Sequence, residues 1–218
     1  MDRELPWNVV GTVEFVYSKY NKQIILKELN VDFDNPVSTT QGGRPVFGTH
    51  KAGLRGSTPQ NQIASPNRIT DAFLQVVDIT NSDQDRAWNL IFQAQKRYSD
   101  GFELNASYTL SDAEDISGLT SSIATSNIGF NPTAGSPNDL PLATSDYIQR
   151  HKLTLGGTWD VAEWLTWSMF YVGNSGDKYT YVYDGDVNAD GFENVAASNR
   201  FNDLLYVPRD ANDITLVN

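Results

Sequence analysis

The sequence predicts an all-β fold: antiparallel, up-and-down strands of a transmembrane β-barrel, present as a partial barrel with long extracellular loops. Three observations predict it. Residues 86–98 and 102–112 are two period-two runs joined by a tight turn at 99–101. Each run is close to the ~9–11 residues that a tilted barrel strand needs to cross a bilayer. Short turns also alternate along the chain with very long polar connections, which is the asymmetry between the two ends of such a barrel.

Composition narrows the function classes. A length of 218 residues suits one β domain of ordinary size or two small ones. Lys and Arg total 16 against 27 Asp and Glu, a net charge of −11, which argues against a nucleic-acid partner. The absence of cysteine excludes a thiolate nucleophile, a cysteine zinc site and a disulfide scaffold. No segment approaches the roughly 20 apolar residues of a spanning helix. A mean hydropathy of −0.41 still suits a barrel, whose strands spend half their residues on a polar lumen.

The elements follow in order. In residues 7–18, Trp7, Val9, Gly11, Val13, Phe15 and Tyr17 share a face against Asn8, Thr12, Glu14 and Ser18, with Val10 and Val16 blurring the pattern. Tyr20-Asn21-Lys22 turns the chain. Residues 23–33 make a weaker strand or a short helix, since Ile24-Ile25-Leu26 breaks the alternation. Residues 34–68 are a long loop rich in Gly, Pro, Ser, Thr, Asn and Gln, and residues 71–80 return as a strand.

In the central hairpin Trp88, Leu90, Phe92 and Ala94 face one way and Asn89, Gln93, Gln95 and Arg97 the other, with Ile91 the exception. Phe102, Leu104, Ala106, Tyr108 and Leu110 then alternate without error against Glu103, Asn105, Ser107, Thr109 and Ser111. Residues 113–146 form a second long loop, a length associated with function rather than with compact soluble domains. Residues 147–161 and 164–173 form the last hairpin, and Trp159, Trp164 and Trp167 bracket its turn as an interfacial girdle would.

Counting short turns on one side and long loops on the other gives five crossing strands, near 7–17, 86–98, 102–112, 147–161 and 164–174. Residues 23–33 and 71–80 become ribbons outside the membrane. Five strands do not close a barrel of this kind, and an open edge in hydrocarbon leaves backbone groups unsatisfied. Met1–Glu4 is not followed by an apolar secretory segment, and Asp213–Asn218 supplies no aromatic closing strand. The expectation is one outer-membrane barrel domain of which residues 1–218 are a fragment, with signal peptide, plug and closing strand absent.

The run from Trp88 to Asp115, with Lys96-Arg97-Tyr98-Ser99-Asp100-Gly101-Phe102 at its turn and Ala106-Ser107-Tyr108-Thr109 beyond it, resembles the signature hairpin of TonB-dependent outer-membrane receptors, and within them the Oar-like subgroup. Asp146-Tyr147-Ile148-Gln149-Arg150-His151-Lys152-Leu153 is similar to another strand of that family. Asp186–Gly191 followed by Asn202-Asp203-Leu204-Leu205-Tyr206-Val207-Pro208 is similar to one of its loops. The resemblance covers roughly residues 7–210. It implies a non-enzymatic receptor of the bacterial outer membrane, embedded in outer-membrane lipid. Such a receptor imports an extracellular ligand through a plug domain coupled to the TonB energy-transducing complex.

The sharpest local motif is Asp186-Val187-Asn188-Ala189-Asp190-Gly191. Oxygen donors at positions 1, 3 and 5 with glycine at 6 match the start of an EF-hand-type calcium loop. Asp184 adds a carboxylate upstream, and Glu193 and Asn194 follow. Position 12 is Ala197, where a bidentate Glu belongs. Asp184, Asp186, Asn188 and Asp190 are therefore the candidate ligands of a weak Ca2+ site, and a solvated acidic turn is the plainer alternative. His151 reads as a structural or interfacial residue, and His50 has no partner that sequence identifies. Asp112, Glu114 and Asp115 read as the charged mouth of an external loop. Arg44, Arg55 and Arg68 are scattered basic residues of the first long loop. No Gly-x-Ser-x-Gly elbow or phosphate loop occurs.

Two other readings stand beside the receptor. One is a soluble secreted β-rich module, stabilised by calcium and binding carbohydrate or another ligand through exposed aromatics. The other is a hydrolase using the loop carboxylates.

Overall fold

The computed structural model describes residues 2–40, 43–52, 62–98, 101–183, 185–192 and 202–206. In chain order the strands are β1 (Asp2–Leu5), β2 (Val9–Lys19), β3 (Gln23–Glu28), β4 (Ser38–Thr39), β5 (Pro45–Val46), β6 (Gly48–Ala52), β7 (Gln62–Pro66), β8 (Val77–Ser82), β9 (Arg86–Arg97), β10 (Phe102–Asp115), β11 (Ala143–Thr144), β12 (His151–Ala162) and β13 (Leu165–Asn174). One short helix, α1 (Ala124–Gly129), lies between β10 and β11. Apart from α1 the regular structure is β, and every pair of named strands is antiparallel, as the alternation requires.

It divides into two compact units. The first (Met1–Asn21, Asp83–Asp115 and Leu142–Tyr179) is one sheet in the order β1-β2-β9-β10-β12-β13, with β11 pairing the end of β10. The five expected crossing strands are β2, β9, β10, β12 and β13, consecutive in the sheet. The register runs unbroken from Val13 to Phe92, from Phe92 to Tyr108, and from Tyr108 to Leu153.

Three boundaries differ from expectation. Trp7 does not sit on the face of the first strand. Pro6–Asn8 is a tight turn with Trp7 at φ 66 and Asn8 at φ 58, and β1 precedes it and pairs Leu5 with Val9. Pro6 has no N–H for a ladder, and two successive left-handed residues reverse a chain as tight hairpins do. The strand expected at 147 starts at His151. The strand expected over 71–80 is Val77–Ser82, because the Asn30 amide holds the carbonyls of Thr70 and Phe73 (2.9 and 2.7 Å) and keeps that segment turned.

The second unit (Lys22–Ser82, Ile116–Pro141 and Thr180–Asn218) contains the long connections. β3 pairs β8 from Gln23–Ser82 to Glu28–Val77 as a separate ribbon, and no helix forms in residues 23–33. The stretch read as a loop over 34–68 contains two small hairpins, β4–β5 and β6–β7. The buried apolar side chains of the chain, among them Leu26, Val31, Phe47, Ile128 and Phe192, belong to this unit. Among the described residues the large sheet contributes none.

Candidate functional site

Directly opposed residues of an antiparallel ladder share a face, so alternation within strands becomes a property of the whole sheet. Phe15, Leu90, Leu110 and His151 form one row. Gly11, Ala94, Ala106, Leu155 and Tyr171 form another, and Phe102, Trp159 and Trp167 a third. All three rows lie on one face. The other face carries Thr12, Gln93, Ser107 and Thr154 in one row and Gln95 and Asn105 in the next. Val10, Val16, Ile91, Phe170 and Val172 are its apolar exceptions.

The apolar face is uncovered: Phe15 is 63% exposed, Leu104 40% and Met169 61%. A soluble sandwich would press such a face on a core, and an apolar expanse of this size marks a contact with something nonaqueous. Its ends are aromatic. Trp159 stands opposite Trp167, and Tyr98 and Phe102 pack at 5.5 Å between ring centroids. Toward the other end Phe15 stacks on Trp88 at 6.4 Å, and Tyr108 stacks on His151, with its hydroxyl 2.6 Å from Nδ1. The Phe102 and Leu110 rows lie about 26 Å apart along the strand at ~3.3 Å per residue, comparable with the ~25 Å apolar band of a barrel wall.

The polar face is hydrogen-bonded across strands. Asn89 accepts from Ser111 at 2.6 Å, Ser107 and Thr154 bond through their hydroxyls, and Arg97 pairs with Glu103 at 2.8 Å. The three hairpin turns, β1–β2, β9–β10 and β12–β13, close one end of the sheet, and every long connection leaves from the other. Glu114, read as part of a charged mouth, is held by Arg86 at 2.6 Å on neighbouring strands.

The second unit holds the acidic loop. The Phe47 N–H donates to the Asn188 carbonyl at 2.7 Å, and His50 Nε2 meets the Asp186 carbonyl, a partner that sequence alone did not identify. A Cβ on Gly48 would lie 2.4 Å from the Ser65 carbonyl oxygen and 2.8 Å from that of Ala189, so only glycine lets the loop approach β6 and β7. Asp186 accepts from the N–H groups of Asp190 (3.1 Å) and Gly191 (2.9 Å). Asn188 Oδ1 accepts from the Asp190 N–H at 3.0 Å. Asp190 accepts from the Phe192 N–H (2.9 Å) and from the amides of Asn202 (2.7 Å) and Asn188 (3.2 Å). Asp203 accepts from the Val187 N–H at 2.7 Å and pairs with Arg44 at 2.6 Å.

Asp186, Asn188, Asp190, Asn202 and Asp203 are all buried. Burial, with the charges of Asp186 and Asp203 adding, pushes the Asp190 carboxyl up to about 8. Burial also holds Asp203 above the usual carboxylate range, against the lowering effect of Arg44. Three of the predicted ligands thus meet in one buried cluster. Asp184, with Glu193, Asn194 and Ala197, lies outside the described residues, as does Arg55. Arg68 donates to the Leu74 carbonyl at 3.0 Å, away from the cluster partners. The sequence reading missed Asn202, Asp203 and Arg44 as members of the cluster. The signal was the Asn202-Asp203 dipeptide, used there only for its resemblance. Among the described residues no three His, Cys, Asp or Glu side chains form a ready metal cluster, since these carboxylates are turned onto N–H donors.

With the geometry in view, the family is decided by sequence comparison. A model of the outer membrane β-barrel domain matches residues 1–166, from β1 through β12. The chain belongs to that family. No curated protein and no solved structure matches it. Membership of the outer membrane β-barrel family places the chain in the bacterial outer membrane, and it explains why apolar side chains such as Phe15 and Met169 are exposed on the sheet. The reading as a soluble secreted module gives way on both points.

Proposed function

We propose that this outer-membrane barrel chain is part of the wall of a TonB-dependent receptor of the Oar-like subgroup, importing an extracellular ligand past a separate plug domain. The observation that carries the reading is the β9–β10 hairpin. Its residues are the ones that resemble the receptor signature, and its Gln93, Gln95, Asn105 and Ser107 share one hydrogen-bonding face. Such a face suits a wide lumen occupied by water and a polar plug, not one filled by side chains. The strands resembling that family lie together in one sheet, and the long connections from its other end suit an external ligand-binding surface.

The test is cross-linking in source cells, followed by recovery of outer-membrane proteins with an antibody to residues 113–146. A TonB-containing adduct that disappears when TonB is removed is the expected result. Recovery of the intact outer-membrane species with no such adduct would overturn the transport reading and leave the barrel assignment untouched.

A further inference from the structure

We propose that the apolar face of the sheet carries a binding groove for one anionic phospholipid, with the phosphate on Lys96 and Arg3 and an acyl chain in the groove beside them. The whole face meets lipid, but this groove holds a single molecule by its headgroup. The site is independent of the transport reading.

The charge pattern is the first observation. Lys96 stands directly opposite Val9 and Leu104, so it belongs to the apolar face, one row inside Phe102 and Trp159. Arg3 stands opposite Gly11, which pairs with Ala94, and so shares the next row of the same face. Between the Phe102 and Leu110 rows these two cations are the only Lys, Arg, Asp or Glu on that face among the described residues. Neither forms an ion pair with a described carboxylate. Charge facing hydrocarbon is costly, and it is tolerated where a long side chain reaches the interface. Lys96 is half-buried, and its Nζ lies 4.5 Å from the centre of the Tyr98 ring, one row closer to the turn. Two strand spacings and two residues of rise put the Lys96 and Arg3 backbones about 12 Å apart, within the joint reach of two long side chains. Two cations with no anion beside them complement a lipid phosphate.

The relief of the face is the second observation. The small Ala94, Ala106 and Gly157 and the larger Leu104, Leu155 and Met169 line a groove of about 450 Å³, with Lys96 and Tyr98 at its rim. A narrow acyl chain fits over such small residues and buries apolar surface there. A free phosphate would leave the groove empty.

The experiment takes the intact outer-membrane species that contains this chain, purified in detergent and reconstituted into phosphatidylcholine vesicles. Phosphatidylglycerol with brominated acyl chains is titrated in, and brominated phosphatidylcholine in a parallel series. Trp167 lines the groove, so the quenching that Trp167→Phe removes reports this site. A preference for phosphatidylglycerol of about fivefold or more is expected, the worth of at least one cation beside an anionic headgroup. Lys96→Gln combined with Arg3→Gln should bring the two lipids near parity, and Lys96→Arg should keep the preference. Gly157→Leu should weaken both lipids at the site by filling the groove. Each variant is read on the heat-modifiable, folded species. Equal quenching by the two lipids in the parent would overturn the proposal, as would a preference that survives the double variant or quenching that Gly157→Leu leaves intact. Competition by inorganic phosphate beyond that of chloride at equal ionic strength would also overturn it, since the cations would then hold a free ion.

Discussion

Leu104 lies directly opposite Gly157 across the β10–β12 ladder, and its Cδ2 is 3.3 Å from where a Cβ on Gly157 would stand. The leucine therefore spreads over a glycine on the apolar face, two residues inside the Phe102 row and six from the Leu110 row. In a bilayer that position is inside the hydrocarbon band, between its edge and its centre. Leu104→Arg should cost about 1–3 kcal/mol of folding stability in lipid vesicles, between the interfacial and midplane values. Its neighbour Asn105 points to the polar face, and Asn105→Arg should stay within about 0.5 kcal/mol of the parent. Chemical denaturation of the vesicle-inserted protein reads both. Equal tolerance of the two would mean that the faces are wrongly assigned.

Gly48 makes a second sharp test, because the neighbours of its missing Cβ are backbone atoms: the Ser65 and Ala189 carbonyl oxygens and Pro66 Cα. Backbone on every side leaves nothing to swing away. Gly48→Ala should destabilise the second unit by about 1–3 kcal/mol or more, the usual cost of overpacking. Hydrogen exchange of the β6–β7 amides should accelerate, with the β9–β10 amides unchanged.

Arg44 and Asp203 form a buried pair, with side-chain exposures of 11% and 0%. Arg44→Met removes the guanidinium from Asp203, from the Leu204 carbonyl and from the Tyr183 ring at 5.6 Å. Breaking such a pair by deleting one partner costs roughly 3–5 kcal/mol. Asp203→Asn in the Arg44→Met background should recover part of it, because the charge left behind is gone. Thermal unfolding followed by Trp and Tyr emission measures both steps.

Asp190 sets a pH dependence whose sign can be worked out. Its folded carboxyl titrates near 8, raised from 3.8 by burial and by Asp186 and Asp203. Between those values the native chain holds a proton that the unfolded chain has released, so stability falls as pH rises. The contribution is complete below the unfolded value and lost as pH climbs through the folded one. The melting temperature of the second unit should drop between about pH 4 and pH 8, and Asp190→Asn should flatten that slope.

The wall was legible in the sequence because period-two alternation is local and each strand of the central hairpin repeats it several times. Its failures came where a non-local or special backbone event interrupts the pattern. Trp7 continues the alternation of Val9, Gly11 and Val13, yet Pro6 and two left-handed residues turn the chain there. Phe73 and Leu74 read as strand, but the Asn30 amide, far away in sequence, bends that segment. The acidic loop announced Asp186, Asn188 and Asp190 through their spacing. Asn202, Asp203 and Arg44 join them by folding, which no spacing rule encodes.

The β2–β9 seam unites strands that the whole stretch from residue 20 to residue 85 separates, so on its face it is the costliest pairing in the wall to form. The ribbon changes that arithmetic. Gln23 pairs with Ser82 at the foot of β3–β8, the Tyr20 N–H donates to the Asp85 carbonyl at 3.0 Å, and Lys19 pairs with Arg86. Once the ribbon has zipped, the effective loop between β2 and β9 is only a few residues long, and the entropy of closing it is that of a hairpin. A ribbon zipped ahead of the wall would deliver two pre-aligned strands to the bilayer, where an unpaired one would be intolerable.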